Sequence, residues 1–466
     1  MKNPFNFTNS YQQLGDNFFD FTIPEKISNP QLIIKNTQLI NKLQIDEIDN
    51  EELTNYLSGN KVSQKAIAAV YAGHQFGSFN PQLGDGRAAL LGEIKQDKTV
   101  DIQLKGSGKT KYSRGGDGKL ALGPAIREYL VSEYMFYAGV ASSRSLALIK
   151  GDNQVMREKP LTGAVLTRVL ASNIRIGTFE YFASRGEVEN IKKLADYAIN
   201  RHYPEIENSE NKYLEFLRLV AKNQAKLVAK MMGLGFIHGV LNTDNTTISG
   251  EIIDYGPCAF MDAYSSNKVF SSIDRGSRYA YNNQANIVGW NLSSLAYCLS
   301  SLVEDSKEEN QQVFSDYALE FDKNYNNIMA NKLGFYYQNG DEKIIDEVFK
   351  LMQKYSLDFT NFFSELKADK AYNLGDDFNI WLNSWQQRLS QEKHNITDLM
   401  VKSNPVFIPR NHIIERIITN AYEGDFTEFY EFTEILQDPF TVSKESLKYS
   451  VEPKIDEVVN ATFCGT

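Results

Sequence analysis

Cysteine is scarce in this 466-residue chain. Its three thiols, Cys258, Cys298 and Cys464, form no CxxC pair and no zinc spacing, which excludes a disulfide scaffold and a thiolate metal cluster. So few thiols agree with a reducing, cytoplasmic setting. Long apolar runs are also missing. No stretch of about 18 apolar residues occurs, so no membrane span is expected. The opening MKNPFNFTNSYQQ lacks the apolar segment of a secretory signal. Positive charge is in deficit, 49 Lys and Arg against 59 Asp and Glu, a net −10, and no basic cluster marks a nucleic-acid binder. A basic pocket inside an acidic shell remains compatible, because net charge governs solubility and steering and not sites. Two nucleotide signatures are absent as well. There is no GxGxxG, and GSGKT at 106–110 fails as a P-loop because Gln103 stands where that pattern needs glycine.

What is present suits a large enzyme. Hydrophobic residues make up 42% and aromatics 12%, enough to fill a sizeable core. Residues 1 to about 60 are mixed and read as an extension that wraps a core. Two glycine-rich stretches, Gly73–Gly86 and Gly106–Gly118, enclose strand patterns at 88–94 and 99–104. A helix is predicted over Pro124–Tyr137, with proline near its first turn and Gly139 near its end, and a strand over 164–169. Apolar spacing of three and four then predicts helices over 188–200, 213–232 and 285–302, and helices with polar joints over 310–456. One joint, NPVFIPRN at 404–411, sets two prolines around an apolar patch.

The densest chemistry lies in HGVLNTDNTTISGEIIDYG, residues 238–256. Asp244 and Asn245 sit together after an apolar stretch, and Asp254 follows nine residues later. An amide and a carboxylate supply the few hard oxygens Mg²⁺ requires, leaving its other positions to phosphates and water. The second carboxylate can accept a proton from an incoming hydroxyl. Protein kinases order a base, a metal-binding Asn and a metal-binding Asp in the same way. Lys105, ending the strand pattern DIQLK, and Glu128 on the next helix form a candidate phosphate clamp. Gly84, Gly86 and Arg87 belong to a loop through which backbone amides can approach phosphate. Arg168 and Arg175 lie seven apart, as do two residues on one helix face, and can present forked positive charge. Asp117-Gly118 reads as a turn. His74 and His238, each beside apolar residues, read as structural.

Together these stretches resemble the selenoprotein O family. The resemblance rests on GHQFG (73–77), LGDGR (83–87), LKGSGKTKYSRGGDGKLAL (104–122), IREYLVSE (126–133), RVLASNIRIGTFEYF (168–182), HGVLNTDN (238–245), IDYGP (253–257) and NPVFIPRN (404–411). It implies an α+β, two-lobed protein-kinase-like fold with an N-terminal extension (1–64), an N-lobe with the glycine loops and clamp (65–160), a C-lobe with the catalytic loop and metal site (161–340) and a helical C-terminal extension (341–466). It implies transfer of AMP from ATP to Ser, Thr or Tyr hydroxyls of proteins, with Mg²⁺ or Mn²⁺ and release of pyrophosphate. No nucleic acid or membrane is expected as a partner. Kinase-type γ-phosphoryl transfer and a silent ATP-binding scaffold are the alternatives.

By the same resemblance Gly84, Gly86, Arg87, Asp117 and Gly118 contact the nucleotide and Lys105, paired with Glu128, binds phosphate. Arg168 and Arg175 hold the terminal phosphate, Asp244 accepts the proton, and Asn245 and Asp254 bind the metal, Asp254 also contacting the nucleotide. ATP is implied to sit inverted relative to kinases, with its α-phosphate toward the acceptor. The chain departs from the family at its thiols. Some relatives pair a C-terminal cysteine with one after the metal aspartate, but Lys268–Asp274 holds none, so a redox role for Cys464 or Cys258 finds no support there.

Overall fold

The structure is a computed structural model that describes residues 4–45, 48–62, 65–303, 307–367, 370 and 372–462. It is a mixed α+β architecture. Among the described residues the main sheet has eight strands: β1 (Phe19–Thr22), β2 (Gln31–Lys35), β3 (Ala66–Ala69), β6 (Ala88–Lys95), β7 (Thr99–Lys105), β8 (Leu120–Ala121), β9 (Arg144–Met156) and β10 (Pro160–Leu170). Its order is β1-β3-β6-β7-β10-β9-β2, with β8 against β10. A small hairpin, β4 (Gly73–Gln75) with β5 (Ser78–Asn80), and the pair β11 (Phe236–Ile237) with β12 (Ala259–Phe260) lie apart from it. The N-terminal residues supply β1 and β2, one at each edge of the sheet.

Strand alternation sorts chemistry from packing. On β7, Ile102 and Leu104 enter a core shared with Leu39 and Leu43 of α1 (Thr37–Lys42 and its end) and Leu53 and Leu57 of α2 (Asn50–Leu57). The alternate residues Asp101, Gln103 and Lys105 therefore face the other way. Across the ladder, Arg168 on β10 pairs with Gln103, and Leu166 with Lys105, so Arg168 and Lys105 share that second face. There the sheet meets α3 (Leu122–Tyr137), which is buried along most of its length. Being covered on most sides, it buries apolar residues on several faces and must pair the charges it carries inward, Glu128 and Glu133.

The rest is helical: α4 (Ile176–Ala183), α5 (Val188–His202), α6 (Lys212–Gly233), α7 (Gln284–Leu299), α8 (Lys307–Lys332), α9 (Glu342–Lys354), α10 (Phe359–Glu365), α11 (Asp376–Leu389), α12 (Ile396–Ser403), α13 (Asn411–Tyr422), α14 (Thr427–Ile435) and α15 (Lys444–Lys448). The predicted helices at 124–137, 188–200, 213–232 and 285–302 match α3, α5, α6 and α7 within three residues at each end. No described helix is long and apolar enough to cross a membrane. The C-terminal helices return to brace α3. Arg127 pairs with Glu415, the Tyr422 hydroxyl accepts the Gly123 N–H at 3.0 Å, and Tyr134 donates to the Phe407 carbonyl at 2.8 Å.

The NPVFIPRN joint ends in a fully buried arginine. Arg410 donates to Asp262 at 2.6 Å and to Asp358 at 2.7 and 3.1 Å, and also reaches Asn361 and the Ser450 carbonyl. It thus ties the C-terminal helices to the segment that follows Asp254. Arg410→Ala strands the buried carboxylate of Asp358 and the partly exposed one of Asp262, so the free energy of unfolding should fall by about 3–5 kcal/mol, read as a lower urea midpoint. An unchanged midpoint would contradict the role given to this arginine.

Glu251 is a second buried tie. Its carboxylate accepts the N–H groups of Ala171 and Ser172, at 2.6 and 3.3 Å, joining the hairpin after Asn245 to the end of β10. Burial raises its carboxyl and the two backbone bonds pull it down; the result is about 8 against an unfolded 4.5. The folded state then holds a proton the unfolded state lacks. That contribution is whole below the unfolded value and is lost as pH rises through about 8. Glu251→Gln should therefore flatten the pH dependence of stability between about 4.5 and 8, measured by denaturant unfolding across that range.

Candidate active site

The segment carrying Asp244, Asn245 and Asp254 is placed by short backbone ladders. After β11 the chain forms a 3-10 turn, Thr243–Asn245, then a narrow hairpin in which Thr246 faces Ile252. Alongside runs the segment before α4: Ile176 N–H donates to the Thr246 carbonyl at 2.9 Å and Ile248 N–H to the Ile174 carbonyl at 3.1 Å. This pairing carries Arg175, the residue capping α4, to the side of Asp244 and Asn245. The seven-residue spacing of Arg168 and Arg175 matches a shared helix face, but the structure gives them none. Arg168 lies on a strand and Arg175 precedes a helix, because Ser172–Arg175 forms a loop between them. They reach the same region through tertiary pairing.

A cleft of about 590 Å³ opens where these elements meet. Of the residues singled out from the sequence, Gly84, Gly86, Arg87, Asp117, Gly118, Arg175, Asp244, Asn245 and Asp254 line it. Gly84 needs its lack of side chain twice over: its φ is +84°, and a Cβ would collide with the Tyr112 ring. Gly118, at φ +66°, packs onto the Gly108 carbonyl so closely that no Cβ fits. The Gly106–Gly108 turn does not line the cleft; it packs against Leu120 and Glu25.

Lys105, Glu128 and Arg168 stand behind the cleft wall, each 2–3% exposed. Lys105 Nζ lies 2.5 Å from Glu128 and 2.8 Å from Asp254 Oδ1. Arg168 donates to the other Glu128 oxygen and sits 3.6 Å from Asp254 Oδ1. Burial alone would raise both carboxyls. The cations outweigh it, so Glu128 is lowered and Asp254 is held well below the usual carboxylate range, with Arg87 contributing to the latter. Asp254 itself adopts a left-handed backbone, φ +66°, an unusual but tolerated state for aspartate.

Asp244 has the opposite environment. Burial pushes its carboxyl up to about 6, although the Gln75 amide donates to Oδ2 at 3.1 Å and Arg175 lowers it. Its Oδ1 is buried without a hydrogen-bond partner. Asn245 donates its amide N–H to the Val240 carbonyl at 2.9 Å, which leaves its oxygen unused. The contacts of Asp254 run through Oδ1, leaving Oδ2 open. No three His, Cys, Asp or Glu side chains gather as a metal cluster among the described residues. The donor set is instead one carboxylate oxygen, one amide oxygen and an orphaned Asp244 oxygen nearby. Such hard oxygens fit a divalent cation that takes its remaining ligands from phosphate and water.

Several supports were not evident from the sequence. Asp85, 2% exposed, lies 3.3 Å from Arg175 NH1 and also receives Ala69 N–H and the side chains of Asn173 and Gln103. Tyr71 lies 4.3 Å under the Arg175 guanidinium. Arg157 pairs with Asp117 at 2.9 Å at the cleft mouth. Gln75, inside GHQFG, holds Asp244. The signal for Asp85 and Gln75 was their place inside dense motifs. His238 is buried: its backbone N–H donates to Gln284 Oε1 at 3.1 Å, its ring Nε2 lies 3.4 Å from the Ile253 carbonyl, and burial lowers its imidazole. His74 is also bonded internally, 2.7 Å from Glu180. Cys258 is buried and its thiol is pushed up to about 12 by that burial, too high for a reactive thiolate. Cys464 lies outside the described residues.

The family model described as Protein adenylyltransferase SelO matches residues 3–437. A Protein nucleotidyltransferase YdiU of Clostridium perfringens (strain SM101) is 45% identical, over 100% of this chain and 98% of its own length. Those of Maridesulfovibrio salexigens and Geobacillus kaustophilus are each 44% identical over 99% of this chain and 98% and 99% of their own lengths. The chain belongs to the SelO family of protein adenylyltransferases.

Proposed function

We propose that this chain transfers AMP from ATP to Ser, Thr or Tyr hydroxyls of proteins and releases pyrophosphate, in the cleft described above. Membership of a nucleotidyltransferase family makes it an enzyme of that class. The observation that carries the site assignment is the meeting of Asp244, Asn245 and Asp254 with Arg175 at one cleft, backed by the Lys105–Glu128 pair. The same arrangement supports a two-lobed, protein-kinase-like division. The lobes are 65–160 and 161–340, flanked by the 1–64 and 341–466 extensions.

In this reading Lys105, Arg168 and Arg175 hold the far phosphates. Arg175 is suited to it, since Asp85 and Tyr71 fix its plane while its buried Nε has no partner. Gly84, Gly86 and Arg87 approach the phosphates from the glycine loop, and Asp117 and Gly118 touch the nucleotide from the second. Asp244 accepts the proton of the acceptor hydroxyl. Its value near 6 leaves it ionised at neutral pH yet more basic than an ordinary aspartate. The hydroxyl oxygen bonds to the α-phosphorus, the bond to the bridging α–β oxygen breaks, and pyrophosphate departs with that oxygen. Asn245 and Asp254 would hold Mg²⁺ or Mn²⁺, which supplies charge neutralisation for the leaving pyrophosphate. ATP and protein hydroxyls as the substrate pair fit the cytoplasm.

ATP labelled at the α- or the γ-phosphate distinguishes the candidate reactions. Protein-bound label from α alone is expected. Label from γ alone identifies a kinase, and tight binding with no label identifies a scaffold; either result overturns the proposal. Asp254→Ala should lower transfer at least about 10²-fold, and wild-type rates in that variant would refute its assigned role.

A further inference from the structure

Both sides of the β4–β5 hairpin are occupied by chemistry. Its inner side presses on the catalytic turn. His74 N–H donates to Thr243 Oγ at 2.7 Å, Gln75 holds Asp244 Oδ2, and Phe76 N–H reaches the Tyr279 hydroxyl at 3.1 Å. A Cβ on Gly73 would stand 2.9 Å from Asp244 Oδ1, so the backbone here lies directly on the base. Its outer side continues into an aromatic ridge. The His74 ring is 4.9 Å from Phe79 and 5.0 Å from Trp290, and the Arg278 guanidinium lies 4.7 Å over Trp290. Phe79 and Trp290 are 40% and 37% exposed.

We infer that this ridge docks the acceptor protein, and that it takes a segment carrying a carboxylate and an aromatic or aliphatic side chain close in sequence to the hydroxyl that is modified. The inference deepens the nucleotidyl-transfer reading of the cleft and rests on it. Three observations carry it. The ridge is continuous, through one hairpin, with the carboxylate that must meet the acceptor hydroxyl. An extended peptide advances about 3.3 Å per residue, so a side chain on the ridge and a hydroxyl at Asp244 belong to one short segment. Aromatic side chains and arginine at a surface are the residue types that anchor protein partners. Finally, the Arg278 guanidinium is flanked by the Trp290 and Tyr279 rings and its Nε has no hydrogen-bond partner among the described residues, in a chain with ten more acidic than basic side chains. It offers a cation to a partner's carboxylate, with Trp290 under it and Phe79 further along the ridge, across His74, for an apolar neighbour.

Two fluorescent peptides test this on the full chain, one with serine flanked by Glu and Phe, the other identical but with Lys for Glu. The Glu peptide should bind about tenfold more tightly by anisotropy, and the gap should narrow as salt rises. Arg278→Gln should erase the preference and Arg278→Glu should reverse it, with nucleotide affinity retained. Trp290→Ala should weaken both peptides alike. Equal binding of the two peptides, or an unaltered ranking in Arg278→Glu, overturns the inference. Parallel assays with α-labelled ATP separate the two readings. A Glu peptide that binds by this rule but is never labelled sinks nucleotidyl transfer alone, whereas labelling without charge preference sinks the docking surface alone.

Discussion

The cluster of Lys105, Arg168, Glu128 and Asp254 is the constraint around which the site is built. Lys105, Arg168 and Glu128 are withdrawn from water, at a desolvation cost of several kcal/mol per ion, while Asp254, its side chain 27% exposed, meets them from the cleft. Only close, multiply bonded geometry offsets such a cost, and the quartet provides it: Glu128 uses both oxygens, one for each cation, and Asp254 Oδ1 is shared between them. The members come from β7, β10, α3 and the segment after the catalytic hairpin. The cluster forms only when sheet, helix and catalytic segment are all in register. A one-residue slip of β7 would turn Lys105 into the apolar layer with Ile102 and Leu104.

From that cluster outward, neighbouring carboxylates are pushed in opposite directions. Asp254 faces cations and stays ionised, while Asp244, a short distance along the chain, is governed by burial. Divergent environments for paired acids are how one site holds a permanent anion and a proton acceptor together. The supporting layer is equally specific. Asp85 fixes Arg175, Gln75 fixes Asp244, and Glu251 fixes the hairpin between them.

Much of this is legible in the sequence where signals are local. Alternation at 99–104 identifies β7, and three-four spacing identifies α5, α6 and α7. The candidate ligands Asn245 and Asp254 stand out through the density of polar groups in 238–256. The edge strands β1 and β2 escape detection because they are short and their neighbours are mixed. The long β9 escapes because SLALI is buried on both faces, so it does not alternate, and its later half is interrupted by Gly151-Asp152-Asn153. The Arg168–Arg175 spacing misleads for a related reason: a helical period has no meaning across a strand end and a loop. Asp85 and Gln75 act on partners 90 and 169 positions away, and no window of sequence contains such pairs.

The bracing of α3 has a consequence in time. Its partners Phe407, Glu415 and Tyr422 lie 273 to 299 positions later in the chain. During synthesis the helix bearing Glu128 leaves the ribosome long before anything exists to cover its far side. The apolar flank must wait, exposed, until the last fifth of the polypeptide arrives. A truncated translation product therefore carries Lys105, Arg168 and Arg175 and still lacks the buttress that seats Glu128, the carboxylate pairing with the first two.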